Sequence, residues 1–333
     1  MGALVRERRT SAGLTQQELS IVSGVSIGAL RDLEQGRTRC PRWGTVSAVA
    51  AVLGMDSHHY AELTAAGQAD DTRQLSVPQV ATGIRVTVLG PLSAARDGAA
   101  VMLGSVRQRA VLGLLAIHWP SVVLRDVIVE VLWGPVPPRS AVAQVQSYVS
   151  RLRRLLDPGR MPGETGGPIA LDGRCYRLAD GITLDLAEFG QLSRHADAAA
   201  ARGEDYLACA LYERSLGLWR DAVLADIDLL RGYPAVVEAT RGRGEAVLRF
   251  ARAAATGTWR ERVLPHLRAL CASEPFNEQA HAQLMMTLAA AGQPAAAVEL
   301  FGRVRRRLDS ELGVRPGPQL AEAHLRVLRQ QVG

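Results

Sequence analysis

Residues 15–35 read TQQELSIVSGVSIGALRDLEQ, and two helix starts are written into that stretch. Thr15-Gln16-Gln17-Glu18 is a capping box: the Thr15 hydroxyl takes the backbone N–H of Glu18, whose carboxylate reaches back to the cap. The helix it opens is expected to carry Leu19 and Val22 inward. Gly24-Val25 then makes a short turn, and Ser26 caps a second helix, Ile27 to Gln35, with Leu30 and Leu33 on its buried side. Two short helices joined across a Gly turn form a helix-turn-helix. The same residues include Gly24-Val25-Ser26-Ile27-Gly28, a match to G-x-S-x-G. A hydrolase elbow needs a strand before that Ser and His and Asp partners elsewhere. Here a helix precedes it, so the nucleophile reading is set aside.

Outward from this motif, 333 residues exceed one ordinary core and suggest two or three domains. Apolar residues make up 47% and charged residues 22%, a globular composition, and no run of 18 apolar residues suggests a membrane span. The opening residues show no apolar segment followed by a small-residue cleavage site, so a cytoplasmic, nucleoid-associated protein is the expectation. Cys40, Cys175, Cys209 and Cys271 lie far apart with no CxxC pair, which fits neither a zinc site nor a disulfide framework. All 39 basic residues are Arg, and the absence of Lys excludes a Walker A loop and Schiff-base catalysis.

Net charge is +6, unevenly spread. Residues 1–45 hold seven Arg against four acids, and residues 84–180 twelve against seven. Residues 46–83 hold one against four, and the remainder nineteen against eighteen. The positive surplus therefore lies where a phosphate-contacting surface needs it.

Residues 68–83 are polar, contain Pro78 and lack helical periodicity, which reads as a linker. Ile84 to Gly90 alternates as a short strand, with a second expected near Val101-Met102-Leu103. Helices are expected over Arg107–Trp119, Arg125–Trp133 and Ser140–Asp157. After a Gly- and Pro-rich loop, Ile169–Leu171 and Tyr176–Leu178 flank Asp172-Gly173-Arg174 as a hairpin, completing a winged helix. On the third helix Val142, Val145, Val149, Leu152 and Leu156 form one apolar stripe and are expected in the core. Ser140, Ala143, Gln144, Ser147, Arg151 and Arg154 collect on the other side, small or polar and ending in guanidinium groups, as a face against a major groove requires. Arg139 is counted with them.

From Asp185 onward helical periodicity returns. Tyr206, Ala210, Leu211, Leu216 and Trp219 begin a helix-pair pattern that Ala280, Leu284, Leu288, Gly292 and Ala297 continue. His58-His59 are adjacent and the other His are isolated, so no metal, cofactor or nucleophile constellation is expected. The protein is accordingly not expected to be an enzyme. A DNA-cleaving alternative lacks paired carboxylates at metal-binding spacing.

Three resemblances follow. Arg9, Gly13 to Leu19, Val25-Ser26, Leu33-Glu34-Gln35-Gly36 and Arg37 to Trp43 resemble the phage Cro and repressor-type helix-turn-helix family. That likeness implies that Arg9 pairs with Glu34, that Gln16 and Gln17 approach the DNA backbone, and that Ser26, Ile27, Gly28, Arg31 and Asp32 face the major groove. Arg39 and Arg42 would hold phosphates. Ile27 and Gly28 stand where polar base-readers are common, so readout there is either poor or limited to a thymine methyl. Leu89-Gly90-Pro91-Leu92, Arg107 to Leu112, Val131-Leu132-Trp133-Gly134, Pro137-Pro138, Gln146 to Leu156 and Gly173 to Leu178 resemble the response-regulator (OmpR/PhoB) type winged helix of the Streptomyces antibiotic regulatory protein (SARP) family. Val142 and Ala143 stand where that family often has Arg and Asn. Wing residues Arg174 and Arg177 would reach a minor groove or a phosphate. Gly292 to Val298 and Leu308 to Leu320 resemble the bacterial transcriptional activation domain that follows this winged helix.

The expected architecture is mainly α. It comprises a five-helix helix-turn-helix domain at 1–67, a linker at 68–83, a winged helix with small β-sheets and a C-terminal hairpin at 84–180, and a tetratricopeptide-like (TPR-like) helical domain at 181–333. The implied partners are double-stranded promoter DNA and RNA polymerase holoenzyme, with self-association on DNA and no membrane. The implied function is activation of a secondary-metabolite gene cluster. In the competing expectation the first helix-turn-helix serves dimerisation or autoinhibition, or the protein represses.

Overall fold

The computed structural model describes residues 2–23, 25–37, 49, 52–53, 83–159, 167–254 and 259–331. It is mainly α, with thirteen α-helices and seven short strands among those residues.

Helices α1 (Gly2–Ser11), α2 (Gln16–Ser23) and α3 (Ile27–Glu34) open the chain. The capping box forms as its spacing demands. Glu18 N–H donates to Thr15 Oγ1 at 3.2 Å, and Thr15 N–H donates to Glu18 Oε2 at 2.7 Å. Val5, Leu19, Val25, Leu30, Leu33 and Val49 make the core of this module. Val22 does not join it and stands 63% exposed, against expectation. The inward stripe of α2 is instead Gln16, Leu19, Ser20 and Ser23, spaced i, i+3, i+4, i+7. The two serines can sit there because Ser20 Oγ donates to Val25 O at 2.6 Å and Ser23 Oγ to Leu19 O at 2.5 Å. The fourth and fifth helices expected before residue 67 lie outside the described residues, save positions 49, 52 and 53.

Strands β1 (Ile84–Thr87), β2 (Ser93–Arg96), β3 (Ala99–Ala100) and the later β7 (Thr183–Leu184) form a sheet in the order β3-β2-β1-β7. The strand expected at 101–103 is displaced to 99–100. Asp97 and Gly98 both adopt positive φ (50° and 82°), giving a two-residue hairpin turn that pairs Arg96 with Ala99. Helices α4 (Val106–Ile117), α5 (Arg125–Trp133) and α6 (Ala141–Leu156) follow. Ser105 caps α4, and Leu112, Leu114 and Leu115 of that helix are fully buried. Between α4 and α5 the two-residue strand β4 (Val123–Leu124), which the sequence did not announce, pairs antiparallel with β6 (Cys175–Leu178). β6 also pairs with β5 (Ile169–Asp172), so the wing is a three-stranded sheet in the order β4-β6-β5.

The remaining residues form α7 (Asp185–Ala201), α8 (Asp205–Leu216), a short 3-10 turn (Asp228–Leu230), α9 (Pro234–Ala253), α10 (Trp259–Ser273), α11 (Glu278–Ala290), α12 (Pro294–Arg307) and α13 (Pro318–Leu328). Each packs on the next, as in a helix-pair repeat. Tyr212 and Phe250 are fully buried and stack at 6.2 Å between centroids, with Trp259 edge-on to Phe250 at 6.1 Å. Tyr206 is exposed, because α8 turns Ala208, Cys209, Tyr212, Ser215 and Leu216 inward.

Spatial grouping divides the chain into two units, residues 1–85 with 94–182, and residues 86–93 with 183–333. The stretch 86–93, expected as part of the winged helix, thus belongs with the C-terminal helices. Backbone hydrogen bonds explain this. The Asp185 carboxylate accepts the N–H groups of Val88 (2.8 and 3.0 Å) and Leu89 (3.0 Å), while Asp226 Oδ1 accepts Leu92 N–H at 2.7 Å. Arg220 N–H donates to Leu89 O at 2.8 Å and Leu224 N–H to Val88 O at 3.0 Å. Gly90, at φ 148°, lies where an added Cβ would sit 3.1 Å from Arg220 Cβ, so both conformation and space favour glycine.

Candidate nucleic-acid interface

Two helices present outward faces suited to a DNA groove. The first is α3. Ser26 caps it, its Oγ accepting Ala29 N–H at 3.3 Å, and Leu30 and Leu33 anchor it to the core. Ile27, Gly28 and Arg31 are exposed on the free side, Asp32 is half-buried, and Gln17 on α2 is exposed. Arg39 and Arg42 lie outside the described residues.

Beneath α3, Arg9 Nε donates to Glu34 Oε1 at 2.6 Å and Nη2 to Oε2 at 3.1 Å, the pairing implied by the repressor likeness. Arg9 Nη1 also donates to Leu14 O at 2.7 Å. Gln16, half-buried in the first turn of α2, also donates from Nε2 to Glu34 Oε2 at 2.7 Å and so joins this network. Burial opposes ionisation of Glu34, but hydrogen bonds from Arg9 and Gln16 and the charges of Arg9 and Arg6 outweigh it. The carboxyl is held below the ordinary range.

The second helix is α6, whose inward stripe is Ala141, Val145, Val149, Leu152 and Leu156. Val142, expected in that stripe, is 38% exposed. The physical reason is register: Ala141 occupies the buried position four residues before Val145, which turns Val142 about 100° away to the rim of the free face. Arg139, Ser140, Ala143, Ser147, Arg151 and Arg154 are all exposed. Gln144 is half-buried, donating to Ser140 Oγ at 2.9 Å while accepting from Tyr148 OH at 3.4 Å. Gln146 and Ser150 also reach solvent beside this face and were missed in the sequence reading. Stepping 100° per residue from Val145 was the signal that finds them.

Arginines near the wing divide by role. Arg153 Nε donates to Ile169 O at 2.9 Å, tying α6 to β5. Arg177 Nη1 pairs with Asp180 Oδ1 at 3.0 Å, whereas Arg174 is exposed at the hairpin tip beside Gly173 (φ 56°). Arg31, Arg139, Arg151, Arg154 and Arg174 have no ion-pair partner among the described residues. Phosphate and guanine contacts are made by guanidinium groups of this kind. No described helix is long and apolar enough to cross a membrane.

Two family models match the chain, a helix-turn-helix domain over residues 1–63 and a bacterial transcriptional activator domain over 184–328. Regulatory protein AfsR of Streptomyces coelicolor is 37% identical over 263 residues, covering 74% of this chain but 24% of that protein. The alignment thus spans about a quarter of AfsR's length. Regulatory protein DnrI of Streptomyces peucetius is 30% identical, covering 75% of this chain and 94% of DnrI. Among solved structures, Mycobacterium tuberculosis EmbR in complex with a low-affinity phosphopeptide superposes with a TM-score of 0.64 at 32% identity, covering 75% of this chain and 66% of that one.

Helix-turn-helix modules followed by a helix-pair activator domain define a bacterial transcriptional regulator. More narrowly, the chain belongs to the Streptomyces antibiotic regulatory protein family, with an additional N-terminal helix-turn-helix domain.

Proposed function

We propose that this protein binds promoter DNA through α6 and α3 and activates a secondary-metabolite gene cluster by recruiting RNA polymerase holoenzyme. The outward face of α6 carries the reading: Ser140, Ala143 and Ser147 are short, and Arg151 and Arg154 follow, exposed and without carboxylate partners among the described residues. Short side chains let a helix backbone descend into a major groove about 12 Å wide, and guanidinium groups then meet phosphates or guanine edges. The names of AfsR and DnrI as regulatory proteins support control of transcription, and the activator-domain match supports polymerase recruitment. On this reading the protein is a cytoplasmic, nucleoid-associated binder and not an enzyme, and it self-associates on DNA. A flexible coil of about 16 residues would span roughly 20 Å, with an extended limit near 50 Å. One turn of DNA is about 34 Å, so both modules reach successive major grooves of one face.

Footprinting the full chain over promoters of its own gene neighbourhood tests the reading. Arg151→Ala should weaken binding about tenfold and Arg31→Ala should shorten the footprint. Binding no tighter than to random duplex at low salt would overturn it. Incubation with duplex DNA and magnesium should leave the duplex intact.

One observation favours a second reading for the N-terminal module. Ile21 (75%), Val22 (63%) and Ile27 (39%) are exposed apolar side chains, as a dimerisation or autoinhibitory surface requires. Under that reading Arg31→Ala leaves the footprint unchanged.

A further inference from the structure

The two outward helices share a register that neither sequence motif suggests. In α3 the fully buried anchor is Leu30, preceded by exposed Ile27 three residues earlier and exposed Gly28 two earlier. In α6 the first fully buried side chain is Val145, preceded by exposed Val142 three residues earlier and exposed Ala143 two earlier. Ile27 and Val142 have nearly the same exposure, 39% and 38%. One residue past each anchor comes a long polar side chain, Arg31 in one helix and Gln146 in the other, both exposed.

The first turn of each helix therefore offers a β-branched hydrocarbon beside a glycine or alanine. Space above Gly28 is open, since an added Cβ there meets no atom within 4 Å. In the first turn of α6, Gln144 donates one N–H to Ser140 and its oxygen accepts from Tyr148. In the major groove one base presents a hydrocarbon group, the C5 methyl of thymine, and apolar side chains are its chemical complement.

We infer that Ile27 and Val142 are specificity-determining residues that read thymine C5 methyl groups. Each acts beside a base contacted by the polar side chain one turn on, Arg31 for guanine and Gln146 for adenine. The small neighbours Gly28 and Ala143 let each helix approach closely enough for that contact. This inference rests on the DNA-binding reading above and deepens it.

The test uses the full chain and a random duplex pool. After selection of the tightest sequence, each thymine is replaced in turn by deoxyuridine, which removes the methyl and leaves every hydrogen-bonding group in place. Loss of one buried methyl corresponds to about a fourfold fall in affinity. We expect that fall at one or more thymines in each module's half-site. Val142→Ala should abolish the thymine-over-uracil preference in one half-site and Ile27→Ala in the other, with the salt dependence of binding unchanged. A selected duplex that tolerates uracil throughout would overturn the inference while leaving DNA reading intact. Failure to select any sequence would overturn both.

Discussion

Arg9 and Glu34, 25 residues apart in the chain, form a two-pronged buried ion pair at 2.6 and 3.1 Å beneath the N-terminal reading helix. Removing one partner of such a pair leaves a buried charge without compensation, which costs about 3–5 kcal/mol. Arg9→Ala should therefore unfold the first module selectively, seen as hydrogen exchange rising through residues 2–37 while peptides from 106–156 keep their protection. Equal protection in both segments would contradict this.

The same pair sets an acid limit. Glu34 has its carboxyl pKa depressed in the folded state, so its ionised form contributes stability that is fully present above the ordinary carboxyl pKa of about 4.3. As pH falls through the lower folded value that contribution is lost. Hydrogen exchange over residues 2–37 should accelerate on acidification through this range, and Glu34→Gln should flatten the dependence.

Asp185 behaves oppositely. Burial raises its pKa, against hydrogen bonds from Val88, Leu89 and Leu186 N–H and the charge of Arg220 at 3.7 Å. Its ionisation is then less favourable folded than unfolded, so this residue's contribution to stability declines as pH rises from the ordinary carboxyl pKa through the raised one. Asp185→Ala leaves three backbone donors without an acceptor and should cost about 3 kcal/mol, whereas Asp185→Asn keeps one acceptor oxygen and should cost less. Thermal unfolding of the two variants would decide, and equal midpoints would count against the clamp.

Arg153 and Arg151, two residues apart, should separate cleanly. Arg153→Ala loses the bond to Ile169 O and should lower stability by about 1 kcal/mol with little change in the salt slope of DNA binding. Arg151→Ala should leave the unfolding midpoint in place and reduce that slope by about one unit.

Burial pushes the Cys209 thiol to about 11 and Cys271 to about 12. Native protein at pH 8 should therefore resist alkylation at both positions, and denaturant should release them. Mass spectrometry of the alkylated peptides reads the outcome.

Legibility in the sequence followed locality. Thr15–Glu18 and Ser26 act within a few residues, so their caps could be read directly, and the tight spacing of Val145, Val149, Leu152 and Leu156 made the core side of α6 plain. Val22 misled because hydrophobicity was weighed without the hydroxyls of Ser20 and Ser23, which satisfy backbone carbonyls and let small polar residues face inward. Val142 misled for a related reason, since Ala141 was too small to register as core. The two-residue strand β4 has no periodicity to detect, and Asp97-Gly98 is a turn signal that went unweighed. The bond from Gln16 to Glu34 joins residues 18 apart and left no local signal. Carboxylates 90 or more residues downstream claim the 86–93 backbone, a pairing no local pattern announces.

That distant claim has a practical corollary for dissecting the molecule. A fragment ending near residue 180 would keep the amides of Val88, Leu89 and Leu92 yet lose the carboxylates that receive them, and one beginning there would keep the receivers alone. A scission near residue 180 therefore leaves the C-terminal part short of its 86–93 segment, which would have to be supplied as a separate peptide.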